Sequence, residues 1–171
     1  MTRVSIHPVK RSDAQEIISA NLRSRDYHAP WAQPFTDMTG FDAWFGPLLT
    51  GPNAAFVARD GESQGIVGVF NLSQIVWGVF RSAYLGYYGT VDFAGRGMMT
   101  EALLQVAGRA FDQFGLHRIE ANIQPDNVAS INLVRRAGFL KEGYSPQYLQ
   151  INGVWCDHER WALISSADRG V

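Results

Sequence analysis

Two stretches of this chain combine residue types and spacings that can do chemistry. In Gly95-Arg96-Gly97-Met98-Met99-Thr100, glycines at alternate positions lead into an amphipathic run. The first turn of a helix leaves its N–H groups without partners, and the macrodipole adds partial positive charge there. Glycine has no Cβ to keep a bulky anion away. A phosphate-bearing ligand held between Gly95 and Thr100 is one reading, and a tight strand-to-helix turn is the other. The second stretch, Asn127-Val128-Ala129-Ser130, has the form of a helix start whose plain function is an N-cap. Between the two, Glu120 and Asn122 share one face of a short strand, because side chains alternate.

These groups need elements to hold them. Ser82 to Val91 reads as a strand entering the glycine loop. After the loop, Met99, Leu103, Val106, Ala110, Phe111 and Phe114 form a stripe at helical spacing, with Gly115 as its stop. Arg118 to Ile123 is a strand, and a helix from about Val128 to Ala137 closes at Gly138. The strands on either side of the long helix are joined by a crossover, which makes them parallel.

Upstream, Val4 to Ile6 is a short strand. Ser12 and Gln15 have the form of a capping box for a helix with Ile17, Ile18 and Leu22 on its apolar side. Ala54 to Arg59 and Ile66 to Ile75 pair through Asp60-Gly61. Downstream, Phe139 to Ile151 and Trp155 to Leu163 form a hairpin around Asn152-Gly153, and Ser165 to Val171 should fray. The fold class is α/β, a mixed and mostly antiparallel sheet flanked by helices. Tyr27, His28, Trp31, Phe35, Phe41, Trp44 and Phe45 crowd together as core or as a cleft wall, and Gly46-Pro47 should end or kink their helix.

Composition excludes several classes. At 171 residues the chain is read as one domain, 1–171, with 46% hydrophobic and 18% charged residues. A net charge of −1 supplies no basic field for nucleic acid. The single cysteine, Cys156, rules out an intrachain disulfide, and the four histidines lack metal-ligand spacing, so no metal is expected. No apolar run spans a membrane and no signal peptide is visible, which fits a cytoplasmic setting. A monomer or homodimer is expected.

Leu85-Gly86-Tyr87-Tyr88 leading into Gly95-Arg96-Gly97-Met98-Met99-Thr100-Glu101-Ala102-Leu103 resembles the acetyl-CoA loop of the GNAT superfamily of N-acetyltransferases. His117 to Asn122, Pro125 to Ser130, Arg136 to Tyr144 and Tyr148 to His158 resemble its ribosomal-protein-alanine branch, in particular RimJ-type members. The resemblance covers roughly residues 66 to 163. It implies acetyl-CoA in a wedge where two central parallel strands splay apart. The family pattern Gln/Arg-x-x-Gly-x-Gly/Ala falls on Ala94 to Met99. Ala94 removes a side chain rather than a backbone donor, whereas Met99 narrows the space above the loop.

The resemblance also implies residue roles. Val91, Phe93, Gly95, Arg96, Gly97, Met98, Met99, Thr100, Asn127, Ser130 and Asn132 form the cofactor set. Ser130 protonates the leaving thiolate, because the family's usual tyrosine position holds Val134. Glu120 is the expected base, directly or through water; its alternative is a sheet carboxylate paired with an arginine. The position where several relatives carry the base holds Asn122, which cannot serve. Trp31, Tyr144 and Tyr148 are the expected acceptor-side residues, with packing as the alternative for the tyrosines.

The expected reaction is acetyl transfer to a protein N-terminal α-amine. Its rivals are transfer to a small amine, such as an antibiotic, polyamine or amino-acid derivative, and a non-catalytic acyl-CoA-binding module. A dinucleotide domain is disfavoured, since Thr100 stands where the third glycine of Gly-x-Gly-x-x-Gly belongs.

Overall fold

The computed structural model describes residues 2–168. The strands are β1 Val4–Pro8, β2 Ala54–Asp60, β3 Ile66–Val76, β4 Ser82–Gly89, β5 Arg118–Ile123, β6 Leu140–Ile151 and β7 Val154–Ile164. They form one sheet in the order β1-β2-β3-β4-β5-β7-β6. Only β4 and β5 run parallel; the other pairs are antiparallel, as the sequence implies. The helices are α1 Ala14–Arg23, α2 Arg25–His28, α3 Met38–Thr50, α4 Met98–Asp112 and α5 Val128–Arg136. None is long and apolar enough to cross a membrane.

A core lies on each face of the sheet. On one, α4 buries Met98, Ala102, Leu103, Val106, Ala107 and Ala110 against strand residues that include Phe70, Leu72 and Ile119. Fully burying side chains such as Leu103 and Val106 contributes roughly 1.5–3 kcal/mol each. The buried stripe is turned from the expected one, and Met99, Phe111 and Phe114 pack at its margin. Gln105 Nε2 and Arg109 Nη2 donate to Val4 and Ile6 carbonyls, fastening α4 to the edge strand. On the other face, Ile17 and Ile18 of α1 pack with Phe41 and Phe45 of α3, whose rings stack at 5.1 Å.

Several local expectations are corrected. No capping box forms between Ser12 and Gln15; Asp13 Oδ2 accepts the Lys10 N–H at 2.7 Å, and α1 begins at Ala14. Leu22 is exposed rather than packed, so the apolar side of α1 is narrow. Gly46-Pro47 does not end α3, which continues to Thr50 with Pro47 inside it. Gly46 and Pro47 lie on the exposed side, where the carbonyl left without a donor meets solvent. The β2–β3 connection is a five-residue loop rather than a tight turn, closed by Asp60 Oδ2 accepting the Ser63 N–H and hydroxyl. At the far end Ser165 is buried, and its N–H donates to the His117 carbonyl. The expected fraying of residues 169–171 lies outside the described residues.

Candidate active site

The strand pair that builds the site comes apart. β4 pairs with β5 only at Ser82↔Arg118, Ala83↔Ile119 and Tyr84↔Glu120. On its other side β4 remains paired with β3 as far as Gly89↔Gly68. Beyond Tyr84, therefore, the β5-facing edge of β4 carries backbone donors and acceptors with no ladder partner. Two hydroxyls draw the strand's end to the opposite side: Thr90 Oγ1 donates to the Ile66 carbonyl at 2.6 Å, and Ser24 Oγ accepts the Val91 N–H at 3.0 Å. Val91–Phe93 is consequently a 3-10 turn instead of the end of the strand.

The glycine loop follows. Gly95 and Gly97 have φ of +73° and +74°, a conformation that L side chains resist, so here glycine is required. No side chain caps α4 at Gly97, and its first-turn N–H groups open onto the cleft. The turn reading and the anion reading thus describe the same loop. Met99 does not crowd it: its thioether lies over Gly68 and Gly89, where a Cβ would come within 2.4 Å and 3.4 Å of the sulfur.

Across the wedge, Asn127 Oδ1 caps α5 by accepting the Ser130 N–H at 3.2 Å. Ser130 Oγ lies 2.5 Å from Tyr87 Oη. Burial pushes the Tyr87 phenol up to about 12, so it is protonated throughout the neutral range. On the third side stands His28, whose Nε2–H donates to the Gly89 carbonyl at 2.7 Å. Burial holds its imidazole below the usual histidine range. The resulting cleft has a volume of about 410 Å³ and is lined by Tyr27, His28, Trp31, Tyr87, Tyr88, Gly95, Gly97, Met99, Thr100, Asn127, Ser130, Asn132 and Arg136, among others. Open helix-start N–H groups, an unpaired strand edge and Arg136 fit a long, anionic, amide-bearing cofactor.

A model of the acetyltransferase (GNAT) domain family matches residues 3–140. The chain belongs to the GNAT acetyltransferases. It is 34% identical over 172 residues to the [Ribosomal protein uS5]-alanine N-acetyltransferase of Escherichia coli (strain K12), covering 95% of this chain and 88% of that protein. It is 40% identical over 113 residues to the probable N-acetyltransferase YjcK of Bacillus subtilis (strain 168), covering 66% of this chain but only 61% of that relative. Among solved structures, Mycobacterium smegmatis RimJ in complex with CoA-disulfide superposes with a TM-score of 0.85 and 27% identity, covering 98% of this chain and 84% of that one. The ribosomal-protein-alanine branch and the RimJ type read from the sequence are the ones that the Escherichia coli relative and the Mycobacterium smegmatis structure name.

In this GNAT chain, Gly95, Gly97, Met99, Thr100, Asn127, Ser130, Asn132 and Trp31 converge on the cleft. The side chains of other expected residues lie elsewhere. The Phe93 ring packs toward Gly65, Arg96 lies 5.4 Å above that ring, and Met98 is buried in the core. Glu120 receives a hydrogen bond from Arg118 Nε at 2.6 Å, and Arg118 also pairs with Glu142. Glu120 lines a second, smaller cleft of about 180 Å³ with Val76, Phe80 and Tyr84. The arginine-paired carboxylate is therefore the arrangement found. Tyr144 Oη donates to Asp157, and Tyr148 packs on the His158 ring at 6.3 Å. The aromatic cluster divides, with Phe41 and Phe45 in the core and Tyr27, His28 and Trp31 on the cleft wall. Tyr87 was missed by sequence reasoning; its odd-numbered alternation with Ala83 and Leu85 was the signal that could have placed it on the α5 side.

Proposed function

We propose that the chain binds acetyl-CoA in this wedge and transfers the acetyl group to the N-terminal α-amine of a protein, of the ribosomal-protein-alanine kind. The observation that carries the acceptor assignment is the wall of the wedge away from the glycine loop and α5, where Tyr27, His28, Trp31 and Tyr88 offer aromatic, imidazole and hydroxyl groups but no carboxylate. A polyamine needs acidic anchors, because burying an unpaired ammonium is costly. An α-amine has an unperturbed pKa of about 7.7–8.0, so a sizeable neutral fraction exists near pH 7 and needs no strong base; a lysine amine near 10.4 would. The match over nearly the whole of the uS5-alanine enzyme supports the same reading.

Bound acetyl-CoA supplies an activated thioester carbonyl and a thiolate leaving group. The N–H groups from Gly95 to Thr100 hold its pyrophosphate, and the free edge of β4 takes up its amides. Tyr87 Oη and Ser130 Oγ share a short hydrogen bond in which either can donate; with Tyr87 as donor, the Ser130 O–H is left for the departing sulfur. Asn127 fixes the turn that carries Ser130.

Thiol release from acetyl-CoA, measured with alanine-, serine- and methionine-starting peptides and with spermidine, tests the acceptor. The alanine-starting peptide should show the highest kcat/KM, and a preference for spermidine would overturn the assignment. Acetyl-CoA should also raise the melting temperature well beyond NAD or ATP; no such difference would sink the cofactor assignment.

A further inference from the structure

Three side-chain atoms among the described residues are buried without a hydrogen-bond partner: Asn21 Oδ1, Asn71 Oδ1 and Asn122 Oδ1. All three lie on the same side of the sheet. Asn71 sits directly across from Gly86 in the β3–β4 ladder. Counting on from Tyr84↔Glu120, Asn122 stands level with Gly86 on the β5 side. The opposite face of β5, with Ile119, Ala121 and Ile123, is buried against α4, so Asn122 faces away from that core. Asn21 of α1 reaches this side too, donating to Tyr88 Oη at 3.3 Å.

Between the two strand asparagines lies a gap. Gly86 is exposed, and a Cβ built there would meet nothing within 4 Å. Two strand spacings set the flanking backbones roughly 10 Å apart, and the splay of β5 widens that further. The result is a slot over Gly86 between two carboxamides, whose oxygens are themselves closed to solvent. Leaving a buried polar atom unpaired costs on the order of 1–3 kcal/mol. Native structures rarely tolerate it without a reason. Neither wall carboxamide is fastened by a hydrogen bond, so a small rotation of either brings its oxygen to a donor in the slot.

We propose that Asn71 and Asn122 hold the attacking amine of the acceptor, an inference that rests on the acetyl-transfer reading above. The slot opens beside the strand edge that the splay frees. Each amide oxygen accepts one N–H of a neutral amine, leaving its lone pair directed at the wedge. In the transfer the C–N bond forms as the C–S bond breaks. The amine loses one proton to solvent, and the thiolate gains one through the Ser130 hydroxyl. Selection rests on the two neutral amides, since a carboxylate in their place would favour the ammonium form, which has no lone pair; of the charged groups on this face, Glu120 is paired with Arg118 and Arg160 stands across from Asn122 on β7. The slot therefore selects an amine with a sizeable neutral fraction near neutral pH, an α-amine rather than a lysine or polyamine nitrogen.

The test is steady-state thiol release on the full chain with an alanine-starting hexapeptide. Asn71→Ala and Asn122→Ala should each lower kcat/KM for the peptide about tenfold, the effect of one lost hydrogen bond. The acetyl-CoA dissociation constant should stay within about twofold. Asn122→Asp should move the rise of kcat with pH upward, a change that a merely structural asparagine would not produce. Unchanged peptide kinetics with a lowered melting temperature would overturn the proposal, as would weakened acetyl-CoA binding. Asn71→Ser and Asn122→Ser serve if an alanine variant fails to fold. Wild-type turnover separates this proposal from the acceptor reading. If spermidine is preferred, the α-amine assignment and the neutral-amine selection both fall, and the variants' kcat/KM for spermidine still decides whether the asparagines hold the amine.

Discussion

Tyr87 Oη and Ser130 Oγ meet at 2.5 Å, joining the freed end of β4 to the first turn of α5. The phenol is buried and protonated, and its short contact holds the serine hydroxyl in place rather than leaving it to rotate, either oxygen being able to donate. Ser130→Ala should lower kcat about 100-fold, the low end of general-acid contributions, with little change in acetyl-CoA affinity. Tyr87→Phe, which removes only the orienting bond, should cost about tenfold. Thiol release gives both numbers, and a Ser130→Ala rate equal to wild type would assign the proton to another group.

Met99 occupies a gap that two glycines create. At Gly89 a Cβ would press only on the Met99 side chain, at 3.2 Å, whereas at Gly68 it would also meet the Tyr88 carbonyl at 2.7 Å. Gly89→Ala should therefore be relieved by Met99→Ala, and Gly68→Ala should not. Met99→Ala alone should cost about 2 kcal/mol, the lower end for a methionine truncation, because the side chain is only partly buried. Denaturant midpoints of the single and double variants measure the coupling.

The buried His28 makes stability depend on pH. Burial holds its folded pKa below the ordinary histidine value of 6.5, which serves for the unfolded chain. Between the two, the unfolded state binds more protons, so this contribution is present above pH 6.5 and is lost as the pH falls through the folded pKa. The melting temperature should drop between neutral and mildly acidic pH. In His28→Gln, which keeps a donor for the Gly89 carbonyl but does not titrate, that drop should be smaller.

Glu120 is held by Arg118 away from the main cleft. Glu120→Gln should keep kcat/KM for an alanine-starting peptide within about twofold, with a stability loss of up to about 1 kcal/mol from the weakened ion pair. A large loss of rate confined to low pH would restore the carboxylate as the base.

Much of the fold was legible because it depends on local chemistry. Asn152-Gly153 adopts positive φ at both positions, 51° and 80°, as a type I′ turn demands, and this fixes the last hairpin. Alternation in Arg118 to Ile123 matches its buried and half-buried faces residue by residue. Where local signals failed, a distant partner had overridden them. Ser24 and Ile66 end β4 before Val91, and solvent exposure lets α3 run through Pro47.

By itself the sequence determined the glycine loop, the helix it opens and the Asn127 cap, because positive φ, helix-start donors and N-caps are properties of a few neighbouring residues. Only the tertiary structure decided what those elements face. The splay of β4 from β5 brings Tyr87 to Ser130, and the packing of α4 on the sheet sets Met99 into the gap over Gly68 and Gly89. Each of these contacts crosses strands or layers, where packing rather than spacing along the chain sets which side chains meet.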